Sequence, residues 1–382
     1  SADELAKISK DKDYPLNGKY ILTSDIDLSG IDNWVPIGNK NSRFEGSFDG
    51  NGYSITGLTI NRSTDYIGLF GYTEKATIEN VALENIDIIG RNYTGGLVGY
   101  AYDSTITNSY ATGSVTGTNW TGGLVGQTSS STIEDSYTTG TVMGKDYTGG
   151  LVGQAGFSTV SNSYATGEVT STGEYTGGLV GYAYGVNISN SYAEGSVTGT
   201  GNDTGGLAGF ADNNSTIRNS YATGSVTGGN HTGGLVGYAY NGSTITNSYA
   251  TGSVTGTDEV GGLVGYANIS ISITNSYATG SVTGTREVGG LVGYATSYTT
   301  ITSSYATGAV TGTGDDVGGL VGHAYNTKIS NSYWDINTTG QFKSAGGVGK
   351  TTGEMKDKET YTNWDFDEIW QINEGQSYPT LR

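Results

Sequence analysis

Tyr93, Trp120, Tyr147 and Tyr175 each stand four residues before the leucine of a recurring Gly-Gly-Leu-Val-Gly stretch. Flat ring faces at regular spacing suit stacking on sugar rings. Each contact is worth about 0.5–1.5 kcal/mol, so affinity would come from repetition. Farther along, Asp203, His231, Glu259, Glu287 and Asp316 take the same position. Together Asp258, Glu259, Glu287, Asp315 and Asp316 offer oxygen ligands to a hard cation, which makes calcium the one cofactor the sequence raises. The plainer alternative is that all of these are solvated loop residues and that the rings only cover an edge.

Catalysis on a polysaccharide needs two carboxylates at a set separation, or a base beside a cation or metal. Acids such as Glu134, Asp135, Glu168, Glu194 and Asp212 are scattered, and bases are few, chiefly Arg218, Arg286 and Lys328. Asp212 and Arg218, which share one repeat, are the best pair, and they form no convincing constellation. No catalytic residue is assigned and no enzyme is expected. A third chemistry, the ordering of water on ice, is suggested by Thr112, Ser114 and Thr116, whose pattern recurs almost unchanged. Thr is also simply a good exposed strand residue.

These residues must be positioned by a repeat. The leucines run Leu69, Leu97, Leu124, Leu151, Leu179, Leu207, Leu235, Leu263, Leu291 and Leu320. A second apolar column starts at Ile78 and Ile106 and a third at Val115 and Val142, separated by Gly and Asn corners. One unit is too small to bury its own apolar face, so stacked units must form the core. Units rich in Thr, Val, Tyr and Gly, without an i, i+3, i+4 apolar pattern, exclude helical repeats. The expected fold is all-β: a right-handed parallel β-solenoid of about ten coils of ~28 residues, with three strands per coil. With Val115 inward, a period of two places Ser109, Ala111 and Gly113 inside and Tyr110, Thr112 and Ser114 outside. A bend at Gly113 would instead put the Tyr110 column inside as an aromatic stack.

The ends depart from the repeat. Ser1 and Glu4 form a capping-box pattern, and Leu5 and Ile8 lie one turn apart, so residues 2–9 read as a short amphipathic cap helix. After Tyr333, the residues Trp334, Trp364, Phe366, Trp370, Tyr378 and Leu381 are expected to plug the last coil. One structural domain is thus expected: N-terminal cap and first coils 1–65, repeats 66–332, C-terminal cap 333–382.

A formal charge of −18, with 36 acidic against 18 basic residues, disfavours nucleic acid and anionic membranes. The 65 Gly without a Gly-x-y period exclude collagen, and the absence of Cys means that no disulfides staple the fold. No apolar run of membrane-spanning length and no signal peptide occurs, so an export signal or anchor would lie outside these residues.

The Gly-Gly-Leu-Val-Gly units, the entry segment YILTSDIDLSG and the exit segments SYWD and YPTLR resemble the GLUG-motif family. That resemblance covers nearly the whole chain. It implies a β-solenoid stalk or adhesive module of microbial surface proteins, a family that also includes IgA-protease-type metallopeptidases. Their zinc motif does not carry over, because His231 and His323 are the only histidines and no H-E-x-x-H occurs. The expected function is a non-catalytic extracellular or cell-surface adhesin-type module, monomeric, that binds surface glycans or proteins of a host or neighbouring cell, or serves as a stalk. The alternatives are a β-helix enzyme acting on polysaccharide and an ice-binding or spacer module.

Overall fold

The computed structural model describes all 382 residues. They form two compact units, 1–196 and 197–382, each built of parallel β-coils. In the first unit one coil runs through strands Asn92–Gly95, Val98–Tyr102, Thr105–Thr107 and Tyr110–Thr116. These belong to four sheets, here called the loop-edge, leucine, isoleucine and tyrosine sheets. Register keeps like on like: Val98 pairs with Val125, Ile106 with Ile133, and Tyr110 with Tyr137. The second unit repeats the scheme, with Ile217 on Ile245, Ile273 on Ile301 and Val254 on Val282. The fold is an all-β parallel β-solenoid of about 28 residues per turn.

The expectation of three strands per coil is corrected to four sheets. The added one is the short loop-edge strand, which carries no apolar alternation to reveal it. It forms because the following Gly-Gly pair lets backbones approach. A Cβ at Gly123 would lie 2.3 Å from the Gly150 carbonyl oxygen, and one at Gly150 would lie 2.1 Å from that of Gly178.

Leu97, Leu124, Leu151 and Leu179 are fully buried with the Ile106 column, and so are Leu235, Leu263, Leu291 and the Ile245 column of the second unit. Ser109, Ala111 and Val115 face inward, while Tyr110 and Thr112 are half-buried outside. The Tyr110 column therefore lies on the outer face, and its rings stack on one another. Tyr110, Tyr137, Tyr164 and Tyr192 are 4.7–4.8 Å apart, within 9° of parallel. Inside, the corner N–H of Ser109 donates to Ser136 Oγ at 3.2 Å and that of Ser136 to Ser163 Oγ at 3.2 Å, so small polar residues close the bends without orphaned donors. Asn108, Asn162, Asn219 and Asn247 hold left-handed corners at φ near 50°, a conformation Asn tolerates well.

The N-terminal helix is shorter than expected, Ala2–Leu5, with the Ser1–Glu4 capping box in place and Leu5 buried. It ends early because Lys7 and Ile8 donate to the carbonyls three residues back, tightening the chain into turns before Ser9 at φ 75°. At the other end only part of the aromatic segment closes the last coil. Strand Val348–Lys350 pairs with Tyr333–Asp335, and the Trp334 ring covers Gly319. Trp364 and Trp370 instead join Tyr361 and Met355 over the outer tyrosine face, burying Tyr277, Tyr305 and Tyr333. No helix is long and apolar enough to cross a membrane.

Candidate functional site

The residue four before each leucine sits where the chain enters the loop-edge strand. At this position the backbone is left-handed: Tyr93 has φ 55°, Trp120 55°, Tyr147 58° and Tyr175 63°. Non-glycine residues reach this region at a cost of roughly 1 kcal/mol, and bulky ones are uncommon there. The rings line up coil by coil. Tyr93 and Trp120 are 4.5 Å apart at 3°, Trp120 and Tyr147 5.5 Å at 14°, and Tyr147 and Tyr175 4.9 Å at 29°. The four expected residues are thus brought together. Their faces, however, cover each other and leave edges to solvent, so a sugar cannot slide between them.

Two parts of this edge escaped the sequence reading. Tyr66 (φ 63°) is a further member of the column, stacked on Tyr93 at 4.7 Å and 2°. It was hidden because its coil reads Tyr-Ile-Gly-Leu, one glycine short, and the register is set by Ile67 opposite Thr94. The second part is the residue after each Leu-Val-Gly, or after Leu69-Phe70-Gly71 in the first such coil: Tyr72, Tyr100, Gln127, Gln154 and Tyr182 in the first unit. It flanks the first column edge-on, with Tyr93 and Tyr100 5.9 Å apart at 72°. A groove of about 240 Å³ opens between the two columns, lined by Lys40, Tyr66, Tyr72, Tyr93, Tyr100 and Gln127. Burial raises the phenol of Tyr72 to about 12, so its hydroxyl keeps its proton at neutral pH.

In the second unit the same column is ionic. His231 Nδ1 lies 2.5 Å from Asp203 Oδ1 and its Nε2 3.2 Å from Glu259 Oε2, so one imidazole ties three successive coils. Burial opposes its charge, but the bonds to Asp203 and Glu259 outweigh this and push its pKa up to about 9. Arg286 grips Asp258 through both carboxylate oxygens and lowers its pKa, and His323 Nδ1 lies 3.2 Å from Asp316 Oδ2. Of the five carboxylates considered for calcium, Asp258, Glu259 and Asp316 thus already have cationic or imidazole partners, leaving Glu287 and Asp315. No group of three or more His, Asp or Glu side chains is placed to hold a metal ion. Asp212 Oδ1 accepts the Asn213 N–H, and Arg218 stands exposed on the isoleucine sheet.

Stacked parallel coils, with an aromatic loop edge in the first unit and an ionic one in the second, define a repeat protein of the parallel β-solenoid class. The chain belongs to the GLUG-motif family, whose model matches residues 90–116, 146–170, 172–198, 200–227, 228–255, 256–283 and 284–311. Halomucin of Haloquadratum walsbyi is 41% identical over 113 residues, 26% of this chain and 1% of halomucin. A protein of Evansella cellulosilytica named as a Gly-rich membrane protein is 46% identical over 71 residues, 17% of this chain and 8% of that protein. The chain therefore spans a small fraction of these relatives. Among solved structures, a protein of Bacteroides ovatus named as an immunoglobulin A1 protease has a TM-score of 0.42 at 18% identity, covering 98% of this chain and 90% of that one. A second, named IgA1 protease, has a TM-score of 0.40 at 18% identity, covering 96% and 24%.

Proposed function

We propose that this chain is a non-catalytic, adhesin-type repeat module of a secreted or cell-surface protein, and that it binds glycans along the aromatic loop edge of residues 1–196. The observation that carries the reading is the column Tyr66, Tyr93, Trp120, Tyr147 and Tyr175, half-buried and held in left-handed backbone along the loop edge. Asn or Gly would relax that backbone, as Asn does at the corners of the same coils, so the rings are kept for what they contact. Gln127 and Gln154 add amide donors and acceptors in the flanking column, the mix of rings and amides that sugars demand. A surface location is supported by the GLUG repeats and by the Gly-rich membrane protein among the relatives.

A glycan array probed with the labelled protein tests the reading. Trp120→Ala and Tyr147→Ala should lower the signal several-fold while circular dichroism and melting show the coils intact. If folded variants bind as the parent does, the rings only brace the coils and the module is a stalk.

A further inference from the structure

We propose that the groove between Tyr66 and Tyr100 is a subsite for one acidic sugar, a uronic acid residue whose ring rests on Tyr66 and whose carboxylate meets Lys40. This deepens the glycan reading and rests on it.

Tyr66 is the end ring of its column. One face lies on Tyr93, no second parallel ring stacks on it, and the tilted ring of Tyr72 lies 5.6 Å away at 50°. Tyr93, Trp120 and Tyr147 each have a ring stacked on both sides, so a sugar ring can add to the column only at an end, and Tyr66 is the end that opens on this groove. At about 240 Å³ the space falls short of the ~300 Å³ at which drug-sized pockets begin, which suits one sugar ring rather than a longer segment.

The charge around it is the reverse of the molecule's. In a chain of 36 acids and 18 bases, the groove is lined by one lysine and no carboxylate. The neighbouring acids are already spent. Asp65 receives two bonds from Arg91, at 2.9 and 3.0 Å, and Glu74 is bound by Arg43, whose guanidinium lies 5.1 Å above the Tyr72 ring. Lys40 pairs with no carboxylate. It is held at the tip of a tight turn, where Asn39 Oδ1 accepts the N–H groups of Asn41 at 2.9 Å and Ser42 at 3.1 Å. An exposed ammonium beside a low-dielectric aromatic wall favours an anion more than it would in open water. The phenol hydroxyls and Gln127 supply donors and acceptors for the ring hydroxyls.

Isothermal titration with a panel of uronate oligomers and their methyl esters tests this, because the ester keeps the ring and removes the charge. The acid should bind about tenfold more tightly than its ester, the worth of one charge-assisted hydrogen bond. Lys40→Gln should abolish that difference, and added salt should narrow it. Tyr66→Ala should weaken acid and ester alike in a protein with unchanged circular dichroism. Equal binding of acid and ester, acid binding untouched by Lys40→Gln, or binding of neutral oligomers alone would each overturn the acidic-sugar assignment and leave the glycan reading standing. No binding of any sugar on the array or in solution would remove both.

Discussion

Thr94, Thr121, Thr148, Thr176 and Thr204 point inward beside each Gly-Gly pair, fully buried, and their hydroxyls find no hydrogen-bond partner. An unsatisfied buried hydroxyl costs on the order of 1–3 kcal/mol. In the second unit the same column passes from Thr232 to Val260 and Val288, which join an apolar cluster with Val254 and Val282. Thr121→Val and Thr148→Val should therefore each raise stability by about 1 kcal/mol, read as a higher melting temperature; a lower one would show that the hydroxyls have partners in solution. A second residue-scale consequence concerns His231. Its folded pKa of about 9 lies above the unfolded value near 6.5, so its contribution is fully present below pH 6.5 and disappears as pH rises through 9. Melts from pH 6.5 to 10 should show the parent losing more stability than His231→Gln, by about 3 kcal/mol at most. Parallel pH curves for the two proteins would refute this. The sequence displayed His231 in its column with Asp203 and Glu259, but the sharing of one imidazole between two carboxylates depends on coil stacking, and only coordinates reveal it.

Among the elements, the leucine, isoleucine and tyrosine sheets were legible because each carries an apolar residue in register. Leu124, Ile133 and Val142 mark one coil and recur in the next. The loop-edge strand was not legible, since it is at most four residues long, carries no apolar alternation and owes its geometry to the backbone. Nor does residue type encode a left-handed φ, so nothing in the letters Tyr147 or Trp120 announces the strain. The Gly-Gly pair is the element on which coil spacing depends. In Gly150→Ala the new methyl would collide with the Gly178 carbonyl and with Ala165 Cβ at 2.8 Å, both part of the rigid stack. A loss of about 3 kcal/mol or more is expected in chemical denaturation, among the larger effects of single substitutions. A near-parental midpoint would mean that the coils can spread locally.

At the scale of the molecule, the C-terminal segment does two jobs where one was expected. Its aromatic content announced a cap, but its path over the outer tyrosine face could not be read, because no periodic pattern ties Trp364 or Trp370 to Tyr305. The path is fixed by single bonds: Tyr305 Oη donates to the Pro379 carbonyl at 2.6 Å, Trp364 Nε1 to the Asn331 carbonyl at 2.8 Å, and Tyr378 Oη to Asp335 Oδ2 at 2.7 Å. Removing residues 334–382 should uncover Tyr277, Tyr305 and Tyr333 together with the edge of the last coil. The truncated protein should melt several degrees lower and self-associate in light scattering; a monomer with the parental melting temperature would argue against the role given to the segment. The ionic column bears on something else, the copy number of the repeat. Because each coil offers the next the same backbone, unequal recombination could excise one period and leave every apolar column aligned. Excising residues 204–231 would do so, yet it would set Asp203 directly against Glu259 with no imidazole between them. Coils are interchangeable in shape but ordered in charge, and that order limits which duplications and deletions such an array tolerates.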